Sequence, residues 1–231
     1  MLLKGLQKLT LLDFPGKMAC TVFSGGCNFR CPFCHNASLV IGERVSESAT
    51  LPPEEFFAFL EKRKNILEGV CVSGGEPTLA PDVIPFLKRI KDMGYLVKLD
   101  TNGYRPDVLK SAVTAGLVDY VAMDIKNSRE RYGETVGIKN FDISPILESV
   151  DFLMSTSVDF EFRTTLVREL HSEDDIRAIG AWLAGGEKYF IQSFKDSGDL
   201  IQEGFSGYDE KETEYLFNLL KAYVPNAQTR G

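Results

Sequence analysis

At 231 residues the chain is long enough for one sizeable core and short for two domains, and its 44% hydrophobic and 26% charged residues are those of an ordinary globular protein. A net charge of −7 and a pI near 5.0 argue against a nucleic-acid partner, which needs a basic face. No apolar run approaches the roughly 20 residues that cross a bilayer, and Met1 to Gly5 has neither a long apolar core nor a cleavage site, so no membrane partner and a cytoplasmic location are expected.

Taken in order, Lys17 to Phe23 reads as a first strand, entered from the turn Asp13-Phe14-Pro15-Gly16. It runs straight into Gly25 to His35, G-G-C-N-F-R-C-P-F-C-H, where Cys27, Cys31 and Cys34 form a CxxxCxxC array. Three thiolates this close must share one centre. With His35 following Cys34, a Cys3His zinc knuckle is one reading; but adjacent residues in a tight loop rarely ligate one ion well, and zinc arrays usually come as more widely spaced CxxC pairs. The spacing favours a cubane iron–sulfur cluster held by three cysteines, with the fourth iron open. A zinc-binding interaction module remains the alternative from another class. Five cysteines, odd in number with three clustered, suit metal ligation in a reducing compartment rather than a disulfide scaffold. Cys20 and Cys71 sit inside apolar runs and read as core packing.

Leu39 to Thr50 is mixed and polar and is expected to be a loop; Pro53 then starts a helix with Phe56, Phe57 and Leu60 on one face. Val70 to Ser73 is the second strand and ends in Gly74-Gly75-Glu76-Pro77-Thr78, where glycines can bring bare backbone close to a ligand. Ile84, Leu87, Ile90 and Met93 have helical spacing, stopped by Gly94. Tyr95 to Leu99 is the third strand, ending in Asp100-Thr101-Asn102-Gly103, and Pro106 opens a helix carrying Leu109, Ala112 and Val113. Asp119 to Ile125 is the fourth strand, with Lys126 just beyond. Ser144 is expected to cap a helix with Pro145 first and Ile146, Leu147 and Val150 on one side. In the fifth strand, Val158 to Val167, Phe160 and Phe162 are expected inward and Glu161 and Arg163 outward. Ser172 with Asp175 looks like a capping box, Lys188 to Phe194 is the sixth strand, and Asp209 with Glu212 opens a last helix ended by Pro225. His171 and Trp182 carry no signal above loop polarity and helix packing.

Six strands alternating with helices imply an α/β fold with a parallel sheet and right-handed crossovers. Six is too few for a closed eight-stranded barrel, so a partial (β/α)6 TIM-like barrel is expected, as one domain over residues 1–231, with ligands at the carboxyl ends of its strands.

CxxxCxxC with Phe33 before the last cysteine, followed by GGEPT, resembles the radical S-adenosylmethionine superfamily. The flanking Leu11-Leu12-Asp13-Phe14-Pro15-Gly16, Phe23-Ser24-Gly25-Gly26-Cys27-Asn28 and Cys34-His35-Asn36 resemble the glycyl-radical-enzyme activases, most closely those of anaerobic ribonucleoside-triphosphate reductase, with the pyruvate formate-lyase activators as near relatives. The resemblance is dense from Leu11 to Lys126 and thinner beyond. It implies the same partial barrel and one 4Fe–4S cluster on Cys27, Cys31 and Cys34. It also implies S-adenosylmethionine chelated to the open iron and cleaved reductively to a 5′-deoxyadenosyl radical, and a glycyl radical enzyme as partner, with a flavodoxin- or ferredoxin-type electron donor. Only Cys20 and Cys71 remain after the first cluster, which excludes a second cysteine-ligated cluster and hence the activases with an inserted ferredoxin-like domain.

For the remaining residues the resemblance implies roles that stand beside plainer ones. Gly74, Gly75 and Glu76 would offer backbone groups to the methionine amino group, or simply make a turn with Glu76 as a solvated first-turn acid. Asp100 and Thr101 match a D-T-N-G that contacts the ligand or a nearby monovalent cation; the plain reading is an Asx-type turn closed by Asn102-Gly103. Asp124 and Lys126 match a D-x-K, on one side of the sheet by period-two alternation, that would face the carboxylate and ribose hydroxyls; the plain reading is a strand-end ion pair. Phe33 would cover the cluster or lie near the adenine, or merely pack. Arg163 would reach the methionine carboxylate or form a structural ion pair, and His35 would support the cluster without ligating it. Where the pyruvate formate-lyase activators carry a late histidine, this chain reads Gln192-Ser193-Phe194-Lys195. Activation of pyruvate formate-lyase or another glycyl radical enzyme, or a small-molecule reaction such as that of 7-carboxy-7-deazaguanine synthase, is the rival within the same chemistry.

Overall fold

The computed structural model describes every residue except Ser48, Glu187, Ser197 and Gly231. Among the described residues eight strands form one sheet in sequence order: β1 (Leu3–Thr10), β2 (Ala19–Ser24), β3 (Gly69–Gly74), β4 (Leu96–Thr101), β5 (Tyr120–Asp124), β6 (Asp159–Leu166), β7 (Tyr189–Ser193) and β8 (Gln228–Arg230). β1 is antiparallel to β2, and every later pair is parallel. The six strands expected from the sequence are β2 to β7, and the sheet stays open, as a partial barrel requires. β1 escapes a pattern search because it is an edge strand whose middle, Gln7 to Leu9, is exposed. β8 is three residues long and gives no period at all.

Each parallel strand sorts its side chains strictly by parity. One face carries Val70, Val72, Val97, Leu99, Val121 and Met123, all buried in one apolar cluster with residues of the helices. These include Phe56 and Leu60 of α3 (Pro53–Lys62), Leu87 and Ile90 of α4 (Val83–Asp92), and Leu109 and Ala112 of α5 (Pro106–Thr114). Phe160 and Phe162 of β6 belong to this face. The opposite parity points into the lumen, and it is polar: Cys71, Lys98, Asp100, Asp124, Glu161 and Arg163. Glu161 and Arg163, expected outward, thus point into the barrel. Glu161 accepts from Tyr120 Oη at 2.8 Å and from both Arg230 guanidinium nitrogens at 2.8 and 3.2 Å, so β8 closes the lumen with a bidentate ion pair. Cys20 faces the apolar cluster as expected, but Cys71 faces the lumen, where its thiol donates to the Asp13 carbonyl at 3.4 Å and Lys98 Nζ lies 3.6 Å from its sulfur.

Two further expectations need correction. Where a loop is expected from Leu39 to Thr50, two short helices, α1 (Ala37–Val40) and α2 (Gly42–Glu47), occupy most of the described residues, and Ser48 lies outside them. Beyond the short α6 (Tyr132–Thr135), Ser144 is the first residue of α7 (Ser144–Ser155) and not its cap; its N–H donates to Asp142 Oδ1 at 3.0 Å. Both capping boxes are present, Ser172 with Asp175 on α8 (Glu173–Trp182) and Asp209 with Glu212 on α9 (Glu210–Lys221), which ends before Pro225.

Candidate active site

The cysteine array, the double-glycine turn and the polar strand ends meet at one end of the sheet, whereas the Leu11-Leu12-Asp13-Phe14-Pro15-Gly16 stretch enters β2 at the other. A cleft of about 330 Å³ is lined by Cys27, Cys31 and Cys34 from the loop after β2 and by residues at the carboxyl ends of β3 to β7. Its volume is at the small end of ligand pockets.

The cysteine loop is gripped from several sides. Gly75 N–H donates to Ser24 O at 2.9 Å and Glu76 N–H to Gly26 O at 2.8 Å. A Cβ on Gly75 would stand 2.0 Å from Gly26 O, and one on Gly74, whose φ is +116°, would stand 2.4 Å from Ser24 N and O. The two glycines are therefore demanded by the approach of the cysteine loop itself, whatever else they do. On the far side Arg30 N–H donates to Val136 O at 2.9 Å, and the Phe29 ring meets Tyr104 and Phe141 edge-on at 5.7 and 5.6 Å.

Burial pushes the Cys27 thiol up to about 11, with the nearby Glu76 adding to the effect, and the Cys31 thiol up to about 12. Among the described residues all five cysteines are free, and no three His, Cys, Asp or Glu side chains are gathered as a ready site for a single ion. Three soft sulfur donors around one cavity, protonated until a metal displaces the proton, fit a thiolate-bound iron–sulfur centre.

Glu76 is not the solvated acid of the plain reading. It is 2% exposed and accepts from Thr78 N–H at 3.1 Å, Thr101 Oγ1 at 2.8 Å, Asn102 N–H at 2.6 Å and the Thr78 hydroxyl. Burial raises its pKa, and these donors pull it part of the way back. The carboxylate ties the end of β3 to the end of β4, and what it leaves facing the cleft is backbone.

Below it the lumen charges alternate: Lys126, Asp124, Arg163, Asp100, Lys98. Lys126 Nζ donates to Asp124 Oδ2 at 3.0 Å, Arg163 Nε to Asp124 Oδ1 at 2.9 Å, Arg163 Nη1 to Asp100 Oδ2 at 3.4 Å, and Lys98 pairs with Asp100. Ser73 Oγ also donates to Asp100, at 2.9 Å. Burial works against both carboxylates, but Arg163 first, with Lys98 for Asp100 and Lys126 for Asp124, holds them below the usual range. For Lys126, burial is likewise outweighed by Asp124, and its pKa is raised. Lys126, Asp124, Arg163 and Asp100 line the cleft and balance one another, Lys98 lies beneath them, and the other charged liner, Glu76, is held by its four donors.

This ladder predicts a pH-dependent stability. A carboxylate depressed by its partners stabilises the fold above its unfolded pKa of about 3.9, and the contribution fades as pH falls towards the folded value. Arg163→Met, which leaves two buried carboxylates short of a partner, should cost about 3 kcal/mol at pH 7 and clearly less at pH 3, by urea denaturation. An equal loss at both pH values would contradict the ladder.

Of the other sequence candidates, Phe33 lines the cleft, buried, with its ring edge-on to Phe194 at 6.4 Å. Thr101 lines it too, although its hydroxyl is spent on Glu76 and on Gly103 N–H. His35 lies at the rim and is exposed. Gln192 reaches the cleft, whereas Lys195 lines a separate cavity between the end of β7 and α9. In the sequence Lys98 and His171 carry no role, and Asn28 and Asn102 show only as motif residues, without their mutual contact beside Cys27. His171 is buried with its orientation set: Nδ1 accepts from Val167 N–H at 3.1 Å and Nε2–H donates to Lys126 O at 2.8 Å, which anchors the backbone of the cleft lysine.

The sequence profile of the Radical SAM superfamily matches residues 21–179. A Methanocaldococcus jannaschii protein named "Putative glycyl-radical enzyme activating enzyme" is 33% identical over 239 residues, spanning 99% of this chain and 95% of that protein. Among solved structures, a domain of pyruvate-formate lyase-activating enzyme from Bacteroides vulgatus superposes with a TM-score of 0.56 at 20% identity, over 71% of this chain and 99% of that one. Streptococcus suis SuiB bound to S-adenosylmethionine superposes with a TM-score of 0.68 at 15% identity, over 90% of this chain and 49% of that longer protein. At these identities the two structures speak to the fold alone.

Proposed function

The chain belongs to the radical SAM superfamily, whose members carry a 4Fe–4S cluster and S-adenosylmethionine, and from that premise we propose that it activates a glycyl radical enzyme, anaerobic ribonucleoside-triphosphate reductase before pyruvate formate-lyase. The observation that carries this reading is the convergence of three loop thiols with the carboxyl ends of five parallel strands on one cleft.

In this reading Cys27, Cys31 and Cys34 hold the cluster. With S-adenosylmethionine bound, cluster and cofactor together supply reductive cleavage and a species that abstracts hydrogen from a glycine of the partner. The protein binds, orients and excludes water. The backbone of Gly74, Gly75 and Glu76 receives the methionine amino group, and the cations Lys126 and Arg163, with Asp124 between them, receive the carboxylate and ribose hydroxyls. Phe33 covers the cleft on its apolar side. A monovalent cation on Asp100 and Thr101 would have to share the Asp100 carboxylate with Lys98 and Arg163. The open sheet leaves room for a polypeptide loop as substrate, and the near-equal length of the Methanocaldococcus relative favours an activase over a small-molecule enzyme.

The partner is tested by EPR. The reconstituted, reduced protein is mixed anaerobically with S-adenosylmethionine and either the reductase or pyruvate formate-lyase. A glycyl radical doublet on the reductase is expected. A doublet on the lyase alone would transfer the assignment to that partner, and none on either would remove both named partners.

A further inference from the structure

Asn102 follows the two residues that the D-T-N-G motif brings forward, and its side chain is turned away from the lumen and towards the cysteine loop. It is 5% exposed. Its backbone N–H is fixed by Glu76 Oε2 at 2.6 Å, and its Oδ1 accepts from Tyr104 N–H at 3.0 Å. A backbone N–H can only donate, so the amide oxygen must face Tyr104 and the NH2 group must face the other way. There it donates to Asn28 Oδ1 at 2.9 Å and lies 3.8 Å from Cys27 Sγ. The same sulfur accepts from Phe29 N–H at 3.3 Å. The amide pair has donors to spare: Asn28 Nδ2 is buried with no acceptor. Two N–H groups thus converge on one sulfur, one from the loop itself and one from a side chain on the neighbouring strand end.

A hydrogen bond to a ligating sulfur stabilises the state with more negative charge, which is the reduced one, and so raises the reduction potential of an iron–sulfur centre. The effect is large where water is scarce and local dipoles go unscreened. We propose that Asn102 is a positioning residue for Cys27, whose side-chain N–H on the Cys27 sulfur makes the iron centre easier to reduce. This rests on the reading that Cys27, Cys31 and Cys34 hold a 4Fe–4S cluster. It gives Asn102 a function that a turn-closing residue would not have, since a turn needs only its oxygen.

The test is an EPR-monitored redox titration of the reconstituted protein without S-adenosylmethionine. Asn102→Leu keeps the size and removes the donor; Asn102→Asp keeps the shape, removes the donor and adds a negative charge. The midpoint should move to more negative potential in Asn102→Leu and further in Asn102→Asp. Asn28→Ala breaks the amide clip but leaves Asn102 facing Cys27, and its midpoint should not fall below that of the wild type; it also serves should the Asn102 variants fail to load iron. Equal midpoints in wild type and Asn102→Leu, or a negative shift in Asn28→Ala, would overturn the proposal. Absence of a 4Fe–4S signature in the wild type would instead overturn the reading on which it rests.

Discussion

Replacing Cys31 by alanine should leave a chain that folds normally and holds no iron after anaerobic reconstitution. The same is expected for Cys27→Ala and Cys34→Ala, whereas Cys20→Ala and Cys71→Ala should load as the wild type does. The contrast follows from placement. Cys31 is buried in a loop and lines the cleft, so its loss removes a sulfur donor at the cost of a small packing defect. Cys20 packs in the apolar cluster, and Cys71 faces the lumen beneath the ladder, bonded to Asp13 and beside Lys98. Iron and sulfide analysis with circular dichroism on all five variants decides the matter. Iron retained by Cys31→Ala, or lost equally from all five, would mean that the centre is not where the loop puts it.

The second large effect falls on Gly75, which lines the cleft but which the account does not rely on to touch iron. Gly75→Ala places a methyl group 2.0 Å from Gly26 O and 2.7 Å from Gly26 C, both backbone atoms that cannot swing aside. Either the end of β3 or the cysteine loop must move, and both are tied down by the Gly75–Ser24 and Glu76–Gly26 hydrogen bonds. A cost above about 4 kcal/mol is expected, at the level where single substitutions become exceptional, together with loss of iron loading. Gly26→Ala is the control. Its Cβ meets nothing within 4 Å, so only the φ of +90° resists it, at about 1–2 kcal/mol. Near-equal urea midpoints for the two variants would contradict the close approach on which this argument depends.

How much of this the sequence disclosed depends on whether a feature is local. The parallel strands β2 to β7 were legible because runs such as Val70-Cys71-Val72 and Tyr120-Val121-Ala122-Met123 are flanked by turn residues and alternate with helical spacing. β1 was not, because Lys4, Gln7 and Lys8 give an edge strand the look of a polar segment. Parity along β6 was read correctly, but which parity meets the helices is a tertiary fact, so Glu161 and Arg163 were turned the wrong way. In a barrel the inner face can be polar when charges pair across it, as Asp124, Arg163 and Asp100 do. Lys98 shows the same limit: a lone lysine within Leu96-Val97-Lys98-Leu99 reads as solvent-facing, yet it is 1% exposed.

The candidate site divides in the same way. CxxxCxxC and the double glycine announce themselves by spacing, although the reason for the glycines, contact with the cysteine loop, does not. Glu76 is legible as part of a motif, but its burial is not, since its four donors come from Thr78, Thr101 and Asn102, two of them beyond the next helix. Asn102 is visible only as a turn residue and His171 not at all, because what they hold is a sulfur and a carbonyl on distant parts of the chain.

Reductive cleavage of S-adenosylmethionine in this cleft is what every proposed role above serves. The most direct measurement is to reconstitute the protein anaerobically with iron and sulfide, reduce it, add S-adenosylmethionine, and quantify 5′-deoxyadenosine and methionine. The account predicts both products in equal amounts, dependent on reductant and absent in Cys31→Ala. A protein that stays colourless and binds zinc, or one that takes up a cluster and never cleaves the cofactor, would contradict it.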